Sequence, residues 1–241
     1  MDDMVPKLKI KIFADGANLT DMIEMSQKPH ISGLTTNPTL MRKARITDYK
    51  QFALNVLEEI KEKPISFEVF SDDLEEMKKQ GETIASWGEN VYVKIPVSNT
   101  RKESTHNVIN HLVKRGVKVN VTALMTHEQV TNVLRVLETN VPSYVSVFAG
   151  RIADTGRDPI PLMEKALKAM ASNNQTELIW ASPRELLNIF QANEIGCHII
   201  TATNDILNKL ELVGKDLTEY SLETVQMFYN DGKASNFKIS T

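Results

Sequence analysis

A lysine inside an apolar segment is the first group in this sequence that could do covalent chemistry. Residues 91–97 read Val-Tyr-Val-Lys-Ile-Pro-Val, with Lys94 at the centre. In a β-strand, the period of two places Tyr92 and Lys94 on one face and the aliphatic residues on the other. Burial disfavours the ammonium and leaves more neutral amine, which can attack a ketone and form a Schiff base. A lysine that extends along the surface to solvent explains the same pattern, so both interpretations stay open.

Two carboxylates occupy comparable positions in other apolar segments. Asp15 ends residues 9–15 and Glu68 lies within residues 65–70. Asp15 could move protons while a carbon–carbon bond breaks, and Glu68 could do so through a bound water. The alternatives are a helix cap for Asp15 and a salt bridge to a lysine of a neighbouring strand for Glu68.

Amides and hydroxyls extend this candidate site. Asn120 and Thr122 share one face of residues 118–124, and the Thr122 hydroxyl could hold the water, although threonine is also an ordinary strand residue. Thr35 and Asn37 end the second apolar segment and are candidates for binding substrate. Asn37 precedes a proline and also fits a helix N-cap, and the two roles are compatible.

Residues that could bind an anion lie at or just after the ends of the sixth and seventh segments. Ser182 precedes a proline and Arg184, a pattern that predicts a serine cap with proline at a helix start. Free amides, the helix dipole and Arg184 would then bind phosphate, with Arg151 near the end of the sixth strand as a second guanidinium. Alternatively, either arginine pairs with an acid such as Asp154 or Asp158.

Eight short β-rich segments, each followed by a segment of helical period, must position these residues. The predicted strands are residues 9–15, 31–36, 65–70, 91–97, 118–124, 144–152, 177–182 and 197–201. Eight such units predict an α/β protein, a single (β/α)8 TIM barrel, whose active site lies at the carboxyl ends of the strands. A Rossmann fold is disfavoured because no glycine-rich phosphate turn follows the first strand. We expect one domain over residues 1–241, with an extra C-terminal helix at about 216–231.

Composition excludes several classes of function. With 28 basic and 31 acidic residues, the net charge of -3 offers no general attraction to nucleic acid or an anionic membrane. The single cysteine indicates a reducing, cytoplasmic compartment. The five histidines show no metal-ligand spacing, so we expect neither a metal nor another cofactor. The expected binding partners are small molecules, and the chain itself is a candidate for assembly into a homo-oligomer.

Three segments together resemble the signatures of the transaldolase family. They are residues 33–38 (Gly-Leu-Thr-Thr-Asn-Pro), 92–96 (Tyr-Val-Lys-Ile-Pro) and 181–184 (Ala-Ser-Pro-Arg), in order along nearly the whole chain. The resemblance implies that Lys94 forms the Schiff base and Asp15 transfers protons. It further implies a water positioned by Glu68 and Thr122. The substrate-binding residues implied are Thr35, Asn37, Asn120, Phe148, Arg151, Ser182 and Arg184, the last three of them for phosphate.

The resemblance implies transfer of a dihydroxyacetone unit between sugar phosphates, in carbohydrate metabolism of the pentose phosphate type. Fructose-6-phosphate aldolases of the same family carry glutamine and tyrosine where this chain has Glu68 and Phe148, so these positions favour the transferase. An aldolase that releases dihydroxyacetone, and a non-catalytic sugar-phosphate-binding barrel, are the alternatives. Gly16, where the family usually has threonine, and the unusual residues 98–102 leave the donor and acceptor sugars open.

Overall fold

The computed structural model contains a closed barrel of eight parallel strands. It describes residues 8–137, 140–235 and 238–239. Each strand pairs with the next, and β1 also pairs with β8, which closes the barrel. The predicted (β/α)8 architecture is therefore confirmed, whereas the extent of one domain over residues 1–241 stays a prediction because its ends lie partly outside the described residues.

The strands and helices alternate as the periodicity predicts. The strands are β1 Lys11–Asp15, β2 Ile31–Thr35, β3 Ile65–Glu68, β4 Val91–Pro96, β5 Val119–Leu124, β6 Ser143–Val147, β7 Thr176–Trp180 and β8 Ile199–Thr203. The helices are α1 Leu19–Gln27, α2 Pro38–Lys43, α3 Tyr49–Glu59, α4 Leu74–Ala85, α5 His106–Val113, α6 His127–Leu134, α7 Ala149–Ala153, α8 Ile160–Met170, α9 Leu187–Glu194, α10 Asn204–Leu207 and α11 Leu217–Ala234.

Large side chains fill the lower part of the barrel and support the site above them. The rings of Tyr92 and Tyr144 stack with centroids 4.0 Å apart, and Phe13 meets Tyr144 edge-on at 5.7 Å. Gly33 must lack a side chain, because a Cβ there would lie 2.5 Å from the Phe13 ring. These buried rings occupy the barrel interior below the ends of the strands, as the packed layers of side chains do in barrels of this kind.

Two local predictions are wrong. The sixth strand ends at Val147 rather than at residue 152, and Arg151 lies in helix α7. A short apolar run does not distinguish a strand from a buried helical turn. Ser182 does not cap a helix, because its φ of +60° is left-handed, whereas an N-cap needs extended backbone; α9 begins only at Leu187.

The predicted C-terminal helix is present as α11. The side chain of Asp216 caps its first turn by accepting from the N–H groups of Thr218 and Glu219. No residue of α11 is buried, and its large apolar side chains, including Leu217 and Phe228, face outward. Among the described residues, no helix is both long and apolar enough to span a bilayer.

Candidate active site

The carboxyl ends of the strands surround a cavity of about 410 Å³. This volume is within the usual range for sites that bind small molecules. The cavity is lined by every residue that the sequence analysis assigned to the site: Asp15, Thr35, Asn37, Glu68, Lys94, Asn120, Thr122, Phe148, Arg151, Ser182 and Arg184. The fold thus brings together groups from all parts of the chain.

Lys94 points into the barrel and is only 5% exposed. Its Nζ donates to the carbonyl oxygen of Thr36 at 2.9 Å and lies 3.2 Å from Oε2 of Glu68. Glu68 and Lys94 are direct partners in the register of β3 and β4. Glu68 therefore makes the salt bridge given above as the alternative to a catalytic role, and its partner is the candidate nucleophile itself.

Asp15 is held by two neighbouring side chains. Thr35 Oγ1 donates to Oδ1 of Asp15 at 2.8 Å, and Nδ2 of Asn37 donates to Oδ2 at 3.1 Å. Asn37 also caps α2, because its Oδ1 accepts the N–H of Leu40 at 2.9 Å. Burial raises the pKa of Asp15, while the charge of Lys94 and the two hydrogen bonds oppose the rise. A carboxyl group so placed can exchange a proton nearer to neutral pH than an exposed aspartate.

A buried polar network lies on the other side of Lys94. Asn120 donates to the Ser66 hydroxyl at 3.0 Å and accepts from the Ser146 hydroxyl at 2.7 Å. The Oγ1 of Thr122 is buried and has no hydrogen-bond partner within the part of the chain that the structure describes. Thr122 is among the residues that line the cavity, and a buried hydroxyl normally has a hydrogen-bond partner, so Thr122 is a candidate for holding a water molecule.

The rim of the cavity that follows β6 and β7 carries two arginines. Nε of Arg184 donates to Asp154 at 2.8 Å, a second contact joins the same two groups, and this pairing lowers the pKa of Asp154. The guanidinium of Arg151 lies 5.8 Å from the centre of the Phe148 ring. Arg184 is therefore partly neutralised by the acid that the sequence analysis gave as an alternative partner. Asp158, the other such acid, instead accepts the N–H of Ile160 at the start of α8.

Gly150 allows α7 to approach the loop after β7. A Cβ at this position would lie 1.5 Å from the carbonyl oxygen of Ser182. Gly150 was not among the predicted site residues, because nothing in its immediate neighbours marks a close approach to a residue more than thirty positions later.

Sequence reasoning also missed Ser146, Thr201 and Thr203, which line the cavity. Ser146 follows Tyr144 by the strand period of two, so the alternation already pointed it inward. Thr203 was missed because the eighth strand was predicted to end at residue 201, and Thr201 because threonine is an ordinary strand residue. Thr201 Oγ1 lies 2.6 Å from Thr35 Oγ1.

The two departures from the family pattern have different positions. Residues 98–102 do not line the central cavity. Instead, Asp72 holds this loop by accepting from the N–H of Thr100 at 2.7 Å and from Arg101 at 3.0 Å. Gly16 lines a neighbouring cavity of about 360 Å³, of which Asp15 is also part. No cluster of three or more metal-binding side chains occurs among the described residues.

Comparison with known proteins identifies the relatives of this chain. The family model described as Transaldolase/Fructose-6-phosphate aldolase matches residues 12–239. A probable transaldolase from Thermoanaerobacter sp. (strain X514) is 32% identical over 231 residues, covering 95% of this chain and all of that protein. A probable transaldolase from Dehalococcoides mccartyi is 33% identical over 202 residues, covering 83% of this chain and 90% of its relative.

Solved structures support the fold at lower identity. A 2,3-dimethylmalate lyase of the PEP mutase/isocitrate lyase superfamily gives a TM-score of 0.56 at 14% identity, covering 92% of this chain and 85% of the other. A structure described as native KDPGal gives a TM-score of 0.53 at 11% identity, covering 81% of this chain and 82% of the other. At this identity the likeness concerns the barrel alone.

Proposed function

Because the chain belongs to the transaldolase/fructose-6-phosphate aldolase family, we propose that it transfers a dihydroxyacetone unit between sugar phosphates through a Schiff base on Lys94. The observation that carries this proposal is the position of Lys94, whose Nζ is buried at the cavity floor and within 3.2 Å of Glu68. A lysine used only to stabilise the fold would not need to face an open cavity lined with acids, amides and arginines.

Imine formation requires that the ammonium of Lys94 lose a proton and that the carbinolamine intermediate lose a molecule of water. The Nζ atom attacks C2 of a ketose phosphate, and the resulting carbinolamine loses its hydroxyl as water to give an iminium ion. Glu68, whose Oε2 lies 3.2 Å from Nζ, would accept a proton from Nζ and return one to the departing hydroxyl. The hydroxyl of Thr122 would hold the water that takes part in formation and later hydrolysis of the imine.

Carbon–carbon cleavage requires a base at the hydroxyl group on C4. Asp15 takes that proton while the C3–C4 bond breaks, the bond electrons move into the iminium, and an aldose phosphate leaves. The raised pKa of Asp15 suits this exchange, since burial brings its proton affinity closer to neutral pH. The enamine then attacks the aldehyde of a second aldose phosphate, Asp15 returns the proton, and hydrolysis releases the new ketose.

The phosphate group of each sugar would bind at the positive rim. Arg151, Arg184 and Ser182 line the part of the cavity that follows β6 and β7, and Ser182 and Arg184 also share a smaller cavity with Asp15. Asn37, Thr35 and Asn120 would bind substrate hydroxyls, and the side chain of Asn120 is held by the hydroxyls of Ser66 and Ser146. Phe148 has no hydroxyl group that could protonate the enamine, which favours transfer to an acceptor over release of dihydroxyacetone. The chemistry proposed here uses no cofactor and no metal.

Borohydride trapping tests the proposal directly. Reduction in the presence of fructose 6-phosphate should attach the three donor carbons to Lys94, and peptide mass mapping locates the adduct. Lys94→Met serves as the matched control, since it keeps the length and apolar character of the side chain but has no amine. An active protein with unmodified Lys94 contradicts the proposal.

Acceptor dependence separates transferase from lyase activity. Product formation from fructose 6-phosphate should require erythrose 4-phosphate or another aldose phosphate. Dihydroxyacetone released at the same rate without an acceptor would instead identify a fructose-6-phosphate aldolase. Binding of sugar phosphate without turnover or trapping would indicate a non-catalytic barrel.

A further inference from the structure

A chain of two hydroxyl groups connects Asp15 to the last strand of the barrel. Thr35 Oγ1 lies 2.8 Å from Oδ1 of Asp15 and 2.6 Å from Oγ1 of Thr201. Thr35 is the partner of Asp15 in the register of β1 and β2, and Thr201 pairs with Phe13, two residues before Asp15, in the register of β1 and β8. Thr35 and Thr201 are 2% and 6% exposed, so water competes little with this chain.

The direction of these hydrogen bonds follows from counting protons. An ionised carboxylate only accepts hydrogen bonds, and each threonine hydroxyl has one proton. When Asp15 is ionised, the proton of Thr35 is therefore directed to Oδ1. The oxygen of Thr35 can then only accept from Thr201, so Thr201 must be the donor. A hydroxyl that accepts a hydrogen bond also becomes a stronger donor.

We propose that Thr201 is a positioning residue that fixes the Thr35 hydroxyl as a hydrogen-bond donor to Asp15. Thr201 does not need to touch the reacting atoms for this role, because it acts through Thr35. The inference deepens the proposed function and rests on it in one respect, namely that Asp15 is the group that transfers protons. The stabilisation of the Asp15 carboxylate can be measured without any substrate.

Other charged groups near Asp15 are distributed over several elements. Those that share a cavity with it are Glu68, Lys94, Arg151, Arg184, Asp21, Lys43 and Asp205. Of these, Lys94 lowers the pKa of Asp15, and the bonds from Thr35 and Asn37 act in the same direction against burial. Asn37 is fixed independently by its bond to Leu40, whereas the hydroxyl of Thr35 can rotate. Only the Thr35 bond therefore depends on a further residue to set its direction.

Titration of Asp15 by 13C NMR of labelled aspartate carboxyl groups tests the proposal, with the Asp15 signal identified by its loss in Asp15→Asn. Thr201→Val keeps the shape of the side chain and removes the hydroxyl. At the pH of the wild-type midpoint, the protonated fraction of Asp15 should rise from one half to about three quarters in this variant. Thr201→Ser should restore the wild-type titration, and Thr35→Val should shift it further in the same direction.

Thr203→Val is the matched control, because it removes a hydroxyl from the same face of β8 without altering the chain to Asp15. An unchanged midpoint in folded Thr201→Val, or an equal shift in Thr203→Val, overturns the proposal. If Thr201→Val does not fold, Thr201→Ala removes the same hydroxyl with less branching, and the same two outcomes decide. Failure to label wild-type Lys94 by borohydride overturns the proposed function and leaves the titration result standing, so the two failures are distinguishable.

Discussion

Gly150→Ala is expected to disrupt the phosphate-binding rim while leaving the imine chemistry in place. The new Cβ would lie 1.5 Å from the carbonyl oxygen of Ser182, whereas ordinary contact begins near 3.4 Å. The loop after β7 and helix α7 must therefore separate by roughly 1.9 Å to accommodate one methyl group. This displacement moves Ser182 and Arg151 relative to Lys94, which belongs to β4 and is not part of that contact.

A misplacement of this size predicts a loss of about 100-fold in kcat/KM for fructose 6-phosphate. Overpacking should also reduce the free energy of unfolding by about 1–3 kcal/mol. The loss of activity should be much smaller with free fructose as donor, because it has no phosphate to misalign. The assay is therefore kcat/KM with phosphorylated and unphosphorylated donors, together with a denaturant titration.

Gly232→Ala is the matched control for this variant. Gly232 lies in α11, where an added Cβ meets nothing within 4 Å. That substitution should leave kcat/KM unchanged. Gly150→Ala protein with wild-type kcat/KM for fructose 6-phosphate would refute the assignment of the anion site to this rim, and an equal loss with both donor types would show that the change is not specific to phosphate.

Three further variants test separate parts of the site and fold. Glu68→Gln should slow imine formation and hydrolysis by about 100-fold or more, as measured by single-turnover trapping, because the amide cannot accept the proton; an unchanged rate would exclude Glu68 from proton transfer. Asp154→Asn should release Arg184 and strengthen inhibition by inorganic phosphate a few-fold, whereas weaker inhibition would show that Asp154 positions Arg184 for binding. His198 accepts the N–H of Leu178 at Nδ1 (2.9 Å), and burial lowers its pKa from the ordinary value of 6.5. Since the folded state favours the neutral ring, the contribution of His198 to the free energy of unfolding is complete above pH 6.5 and is lost as the pH falls toward the lowered pKa. In denaturant titrations at pH 5 to 8, His198→Gln should flatten the dependence of the free energy of unfolding on pH. An unchanged slope would contradict the assignment of this dependence to His198.

The parts of the fold that could be predicted from the sequence are those in which local pattern and global structure agree. Alternation in residues 91–97 placed Lys94 on the inner face, and the number of repeating units indicated a closed barrel, which then required the polar residues at the strand ends to meet. Asn37 shows the same agreement, since capping α2 and binding Asp15 use different atoms of one amide.

The remainder depends on contacts between residues far apart in the chain. The shape of the loop at Ser182 is set by its approach to Gly150. Asp154 and Asp158 were both candidate partners of the arginines, and only the fold distinguishes them, because Asp154 directly follows α7 and contacts Arg184 in the loop after β7. The residue pattern around Gly150 does not predict its contact with the loop at Ser182, and the pattern of that loop does not predict its contact with Gly150. The individual roles of the site residues likewise stay predictions, because position in a cavity does not by itself identify which group moves a proton.

Closure of the barrel by β1 and β8 has a consequence for how the protein is made. A ribosome delivers β1 first and β8 last, so the ladder partner of Lys11–Asp15 on one side is absent until almost the whole chain has been synthesised. Until then, the nascent sheet has two unpaired margins that can associate with other nascent chains. Chaperone capture during synthesis should therefore be strongest before residue 199 emerges, and a chain terminated before that point should aggregate rather than retain partial activity.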